Sequence, residues 1–212
     1  MQTKTNFIPK KEFWMFGIAG LGQGMIYAIM SSYISDFYIS VARLSPMFVF
    51  FLMLFARIWD SVNDPIMGVV VDKTQAKWGM KRFIIIAPIP IAVTTFLLFF
   101  APDISPIGKM VYASITYVLW DFVYTISDVP FWCLPNVMTP NPQERGKLIS
   151  VGRTLNGIGS AVPLAIFMVL GFILPALGLT GLKLEKTKYT TIALFAAVVG
   201  NALFILVYFF AK

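Results

Sequence analysis

The chain has 212 residues, 58% of them hydrophobic and only 13% charged, where a soluble domain carries about 25% charged residues. It has no histidine and one cysteine, Cys133. Imidazole metal sites, Ser-His-Asp triads, histidine proton relays and an internal disulfide are thereby excluded, and proton or cation chemistry falls to carboxylates. The net charge of +7 comes from lysines and arginines placed mostly between apolar runs, as membrane topology requires, and does not in itself indicate nucleic acid.

Six apolar runs, at about 13–39, 47–71, 83–101, 110–135, 148–179 and 189–210, predict an all-α membrane protein forming one transmembrane bundle over residues 1–212. Helices are required because only helices and closed barrels satisfy backbone polar groups in lipid, and these runs are too long and too continuously apolar for barrel strands. The first is too long, and too clearly followed by others, to be a cleaved signal peptide. Within it, Gly20 and Gly24 form a small-xxx-small pair that lets a neighbouring backbone approach closely. Plain helix packing is the first reading of these glycines, and a glycine-lined solute path the second.

The second span holds Arg57, Asp60, Asn63 and Asp64 where lipid should be. Three charges at roughly 2.5 to 3.5 kcal/mol each oppose insertion by about 8 to 10 kcal/mol, while the run's large apolar residues favour it by only about 4 to 8 kcal/mol. The polar face must therefore look at protein, water or a bound ion. Asp60 and Asp64 are four residues apart and share a face with Arg57, three before Asp60, and Asn63 is adjacent. Two carboxylates and an amide oxygen suit a hard cation such as Na⁺ or Li⁺, and two close acids equally suit a proton. A structural ion pair is the competing reading, but one arginine neutralises only one acid. Beyond this span, Asp72 near a helix C-terminus opposes the helix dipole. It is expected to find a basic partner in the turn carrying Lys81 and Arg82, as a gating latch; a solvated loop competes.

In the fourth span, Asp121, Tyr124, Thr125, Asp128 and Trp132 recur at spacings of three and four, making one polar-aromatic stripe. Carboxylates that accept hydroxyl hydrogen bonds beside a ring that stacks on a sugar's apolar face suit a polyol better than an anion. Trp132 also fits an interfacial aromatic belt. Pro130 and Pro135 should loosen the helix and mark a hinge. In the fifth span, Arg153 is expected to pair with an acid or with substrate; a snorkelling role fits equally. Counting Lys and Arg at the span ends, Lys4, Lys10, Lys11, Lys73, Lys77, Lys81, Arg82, Arg145, Lys147 and Lys212 lie on one side. Arg43, Lys109, Lys183, Lys186 and Lys188 lie on the other. That imbalance puts both termini in the cytoplasm of a multi-pass cell-membrane protein.

Taken together, Arg57 to Gly68, Asp72 to Arg82, Tyr124 to Trp132, Met138-Thr139, Glu144-Arg145 and Arg153 resemble the glycoside–pentoside–hexuronide:cation symporters, the melibiose-permease-like branch of the major facilitator superfamily. The resemblance implies a cation site of Asp60, Asp64 and Thr125 with Asn63 nearby, and a sugar site of Asp128, Tyr124, Trp132 and Arg153, to which the stripe adds Asp121. It gives Arg57, Asp72, Lys81, Arg82 and Arg145 structural or gating parts. Melibiose-type members carry an acid where Gly24 falls, after Gln23, and a small residue where Asp121 stands. Both departures weigh against a galactoside and leave a sugar-like substrate.

The family has twelve spans in two pseudo-symmetric halves, each a 3+3 inverted repeat, with substrate between them at midplane. This chain is therefore expected to be the N-terminal half of a longer protein, or a half completed by a second copy. The function expected is symport of a sugar or glycoside coupled to Na⁺, Li⁺ or H⁺, with no other cofactor. A membrane sensor binding a protein partner and a transporter of amphipathic solutes are the rivals. No zinc-ligand set, nucleotide loop or nucleophile elbow suggests an enzyme.

Overall fold

A computed structural model describes the backbone of residues 8–78 and 81–210, and their side chains except at 71, 72, 74–78, 81 and 210. The side chains of Asp72 and Lys81 lie outside the described residues, so the expected latch does too. Every regular element among the described residues is helical. We number them α1 (Lys10–Ser40, with a π turn at Ile29–Tyr33), α2 (Pro46–Trp78), α3 (Lys81–Ile86), α4 (Pro88–Leu98), α5 (Pro106–Met138) and α6 (Pro142–Ala176). The last, α7, runs from Gly181–Phe195 through a π turn at Ala196–Gly200 into Asn201–Phe210.

Prolines and short polar caps start these helices. Pro46, Pro88, Pro106 and Pro142 each open a helix, where the missing N–H costs nothing. Ser105 caps α5 by accepting from the Gly108 N–H at 3.2 Å, and Asn141 caps α6 by accepting from the Gln143 N–H at 2.9 Å. The tight turn between α6 and α7 uses Gly178 and Gly181, whose φ values of +82° and +59° a side chain would disfavour. The third apolar run, expected as one helix, is interrupted at Ala87 into α3 and α4. Pro88 and Pro90 each lack the N–H that would continue the ladder. The sixth run starts earlier than expected because its first turns are polar: Lys188 pairs with Glu185 at 3.1 Å outside the apolar stretch.

Lys10–Ser40, Pro46–Val70, Pro142–Ala176 and Gly181–Phe209 are long and apolar enough to cross a membrane, and Pro88–Leu98 is a shorter apolar helix. Their outward faces carry Phe50, Phe51 and Phe55 on α2 and Leu164, Met168 and Phe172 on α6, all exposed. A water-soluble protein would not leave such a surface uncovered. The chain is a multi-pass, all-α membrane protein.

Internally, α1 lies along α6 and α7, while α2, α3 and α4 pack on α5. The α1–α6 contact is backbone on backbone. A Cβ on Gly20 would stand 2.7 Å from the Gly152 carbonyl oxygen, and one on Gly24 would overlap the Asn156 carbonyl. On its other side, Gly22 meets the Gly200 carbonyl of α7. The glycines are thus packing surfaces, and that packing sets the depth at which α1 and α6 deliver polar side chains between them.

Candidate functional site

Between α1, α2, α5 and α6 lies a cavity of about 510 Å³, into which the polar residues of all four helices point. It has two groups of side chains, about two helical turns apart along α5.

The first group centres on Asp128. Trp132, one turn later, donates its indole N–H to Asp128 Oδ1 at 3.2 Å. Gln23 of α1 donates its amide to the same oxygen and accepts from Asn156 Nδ2 of α6 at 3.2 Å. Tyr124, one turn before, also presents its hydroxyl to Asp128. Arg153 lies over the Trp132 ring, its guanidinium carbon 3.8 Å from the ring centroid. Asp128 is therefore held by N–H and O–H dipoles with no salt bridge among the described residues, and the cation beside it is stacked on an aromatic face. A half-buried carboxylate, amides and a partly exposed aromatic side chain within one cavity can take the hydroxyls and the apolar face of a polyol. Trp120 fixes the tyrosine from behind. It stacks on Tyr124 at 4.9 Å and 8° and donates to Thr95 Oγ1 of α4 at 2.8 Å.

The second group joins α2 to α5. Asp60, Ser61 and Asp64 line the cavity. Arg57 reaches Asp60 Oδ2 at only 3.8 Å with a side chain 72% exposed, which makes a weak pair. Asn63 is buried and donates to Thr125 Oγ1 at 3.3 Å, and Thr125, which lines the cavity, donates to the Asp121 carbonyl at 2.9 Å. Asp121 lines the cavity and is 7% exposed. Its carboxyl lies within hydrogen-bonding reach of Asp60. The spacing that puts Asp121 and Asp128 on one face holds, but seven residues carry Asp121 about 10 Å down the helix, where its neighbour is an acid of α2. Among the described residues, no three carboxylates converge closely enough to form a metal-binding cluster.

Of the residues expected to gate, Arg57 stands at the cavity and Arg82 is exposed at the start of α3. Arg145 sits in the first turn of α6, beside Glu144, which accepts from the Thr139 hydroxyl at 2.8 Å. Four lining residues, Gln23, Tyr27, Ser61 and Asn156, are absent from the sequence-based site. Gln23 and Asn156 were detectable as neutral amides inside apolar spans. Asn156 also follows Arg153 by three residues and so shares its face.

The sequence profile of the family described as MFS/sugar transport protein matches residues 15–212. The protein YagG of Escherichia coli (strain K12) is 33% identical over 175 residues, 82% of this chain and 37% of the relative. The isoprimeverose transporter of Lactiplantibacillus pentosus is 30% identical over 158 residues, 74% of this chain and 33% of the relative. The sodium-dependent lysophosphatidylcholine symporter 1-A of Danio rerio is 28% identical over 153 residues, 71% of this chain and 29% of the relative. The chain spans about a third of the length of these relatives.

Proposed function

The chain belongs to the MFS/sugar transport protein family, and on that premise we propose that it is the cation- and sugar-binding half of a cation-coupled symporter of a sugar or glycoside, working by alternating access. Six crossings with both ends of the chain in the cytoplasm make one bundle. A second bundle, supplied by a further segment or a second copy, closes the open side of the cavity. The observation that carries the reading is the pairing of two unlike sites in one cavity. Asp128, Tyr124, Trp132 and Arg153 offer a polyol site, and Asp60 and Asp64, with the buried Asn63–Thr125 pair behind them, offer a cation site.

The two sites share α5. Tyr124 faces the sugar group and Thr125, the next residue, is tied to α2 through Asn63. Neutralising the acids of α2 relieves their repulsion, lets α2 settle on α5 and sets the adjacent Tyr124 against Asp128. By linkage the sugar strengthens cation binding by the same factor. In the complete transporter, Asp60→Asn or Asp64→Asn is expected to abolish cation-stimulated sugar binding, measured by titrating sugar with and without cation. Unchanged stimulation in both would remove these acids from the cation site.

An amphipathic solute is the second reading, favoured by one feature. A groove of about 540 Å³ runs along the outer face of α2 and α5, walled by Phe55, Trp59, Ile115, Val118, Leu119 and Phe122. One relative is named for lysophosphatidylcholine, an amphipathic solute. Counterflow separates the two: exchange of a glycoside but not of a lysolipid supports the sugar, and the reverse supports the amphipath.

A further inference from the structure

We propose that Asp60 and Asp121 share a single proton between their facing carboxyls, and that this proton is the coupling ion of the symport reading on which the inference rests. Asp121 is more than nine-tenths buried, lines the cavity, and its Oδ2 has no hydrogen-bond partner among the described residues. Asp60 Oδ1 is buried and without a partner in the same way. The two carboxyls lie within hydrogen-bonding reach of one another.

The charged and titratable groups around them do not supply the missing partner. Asp64 on α2 and Asp128 on α5 are acids, and Tyr117 on α5 and Tyr27 on α1 are phenols. Arg57 is the cation beside the pair, but it meets the other oxygen of Asp60 at 3.8 Å from a largely exposed side chain. Two carboxylates in contact, each with one oxygen buried and unpartnered, do not readily both stay ionised. One proton placed between them leaves a single charge and makes a short O–H···O⁻ hydrogen bond that satisfies both orphaned oxygens at once.

A metal ion fits the same place poorly. Na⁺ wants several oxygens, whereas no three carboxylates converge here among the described residues, and the Thr125 hydroxyl, which lines the cavity, already accepts from Asn63 and donates to the Asp121 carbonyl. A proton needs only the two oxygens present. It would enter from the water of the cavity, reside on the pair while sugar occupies the Asp128 site, and leave to water on the opposite side, with no other group changing its bonds.

The test is infrared difference spectroscopy of the complete transporter in lipid, titrated with pH in Na⁺-free buffer. A protonated-carboxyl C=O band that titrates in the wild type, and is removed or displaced in both Asp121→Asn and Asp60→Asn, is the expected result. No titrating band, or a band unchanged in Asp121→Asn, overturns the shared proton. Gel filtration and circular dichroism verify that each variant is folded, and Asp60, the less buried of the two, serves where Asp121→Asn does not fold.

Wild-type proteoliposomes then separate the two claims. Glycoside accumulation driven by an acid-outside pH gradient without Na⁺, and lost in Asp121→Asn, supports coupling through the pair. Accumulation driven only by a Na⁺ gradient overturns proton coupling and leaves symport standing. If no gradient moves glycoside while the Asp121-dependent band is present, the symport reading and the coupling part fail together and the shared proton survives.

Discussion

Trp132 acts on Asp128 in two ways. Its indole N–H binds the carboxylate, and its ring carries the Arg153 guanidinium, so one residue links an acid and a base that do not pair directly. The functions can be separated by substitution. Trp132→Phe keeps an aromatic platform and removes the N–H. One hydrogen bond to a charged group is worth about 1.5 kcal/mol, so the sugar Kd is expected to rise about tenfold. Trp132→Ala removes the platform as well and should cost about a further tenfold, since a cation–π contact contributes about 1 kcal/mol or more. Calorimetric titration with sugar measures both, and an affinity unchanged in Trp132→Ala would take the residue out of the binding site.

At this scale the residues with formal charge were legible, because a charge inside an apolar run conflicts with lipid on sequence alone. Neutral amides are detectable inside apolar spans but conflict with lipid far less than a charge does, so Gln23 and Asn156, which complete the Asp128 network, stand out less in the sequence. Spacing placed Asp121 on the right face, but a repeat of seven cannot say which neighbour each member meets. That depends on where α2 crosses α5, a tertiary fact.

Among the elements, the α1–α6 seam decides the shape of the cavity. Gly24 lies under the Asn156 carbonyl, and Ser160 donates to the Gly24 carbonyl at 3.2 Å, so the two helices touch where Gln23 and Asn156 exchange a hydrogen bond. Gly24→Ala must push the backbones apart. The expected loss is about 1–3 kcal/mol, as for an overpacked core, read as a lower Tm in detergent, together with weaker sugar binding because Gln23 withdraws from Asp128. Gly157→Ala, on α6 next to Asn156 with nothing within 4 Å of the added carbon, is the contrast. Alanine there favours the helix by about 0.5–1 kcal/mol, and Tm should hold or rise. Equal effects of the two substitutions would show that the seam is not backbone-tight. Apolar run length located the helices because bilayer thickness fixes it. Their ends moved because capping, proline and polar turns outside the apolar stretch decide where a helix stops. Gly20 and Gly24 announced a close contact, but the partner helix, five elements later, leaves no mark at that point of the sequence.

For the whole molecule, the question is which surfaces meet water. α2 exposes Arg57, Ser61 and Asp64 on its cavity face and Phe50, Phe51 and Phe55 on its outer face. α6 likewise sets Arg153 toward the cavity and Phe172, 82% exposed, outward. Lipid against the first face would meet uncompensated charge at about 2.5 to 3.5 kcal/mol for each of Arg57 and Asp64, so that face must border water or protein. Single cysteines on a Cys133→Ser background test this in the complete transporter. Ser61→Cys should react with a water-soluble thiol reagent and be slowed by substrate, while Phe172→Cys should resist the reagent. Comparable rates at both positions would mean that the polar face is not an aqueous cavity. The same background fixes orientation. The Lys and Arg bias expects Lys183→Cys to be labelled by an impermeant reagent from outside intact cells and Lys147→Cys only after the membrane is opened. The reverse pattern would place the Asp60 and Asp121 acids in a molecule of opposite polarity, with the coupling gradient entering from the other face.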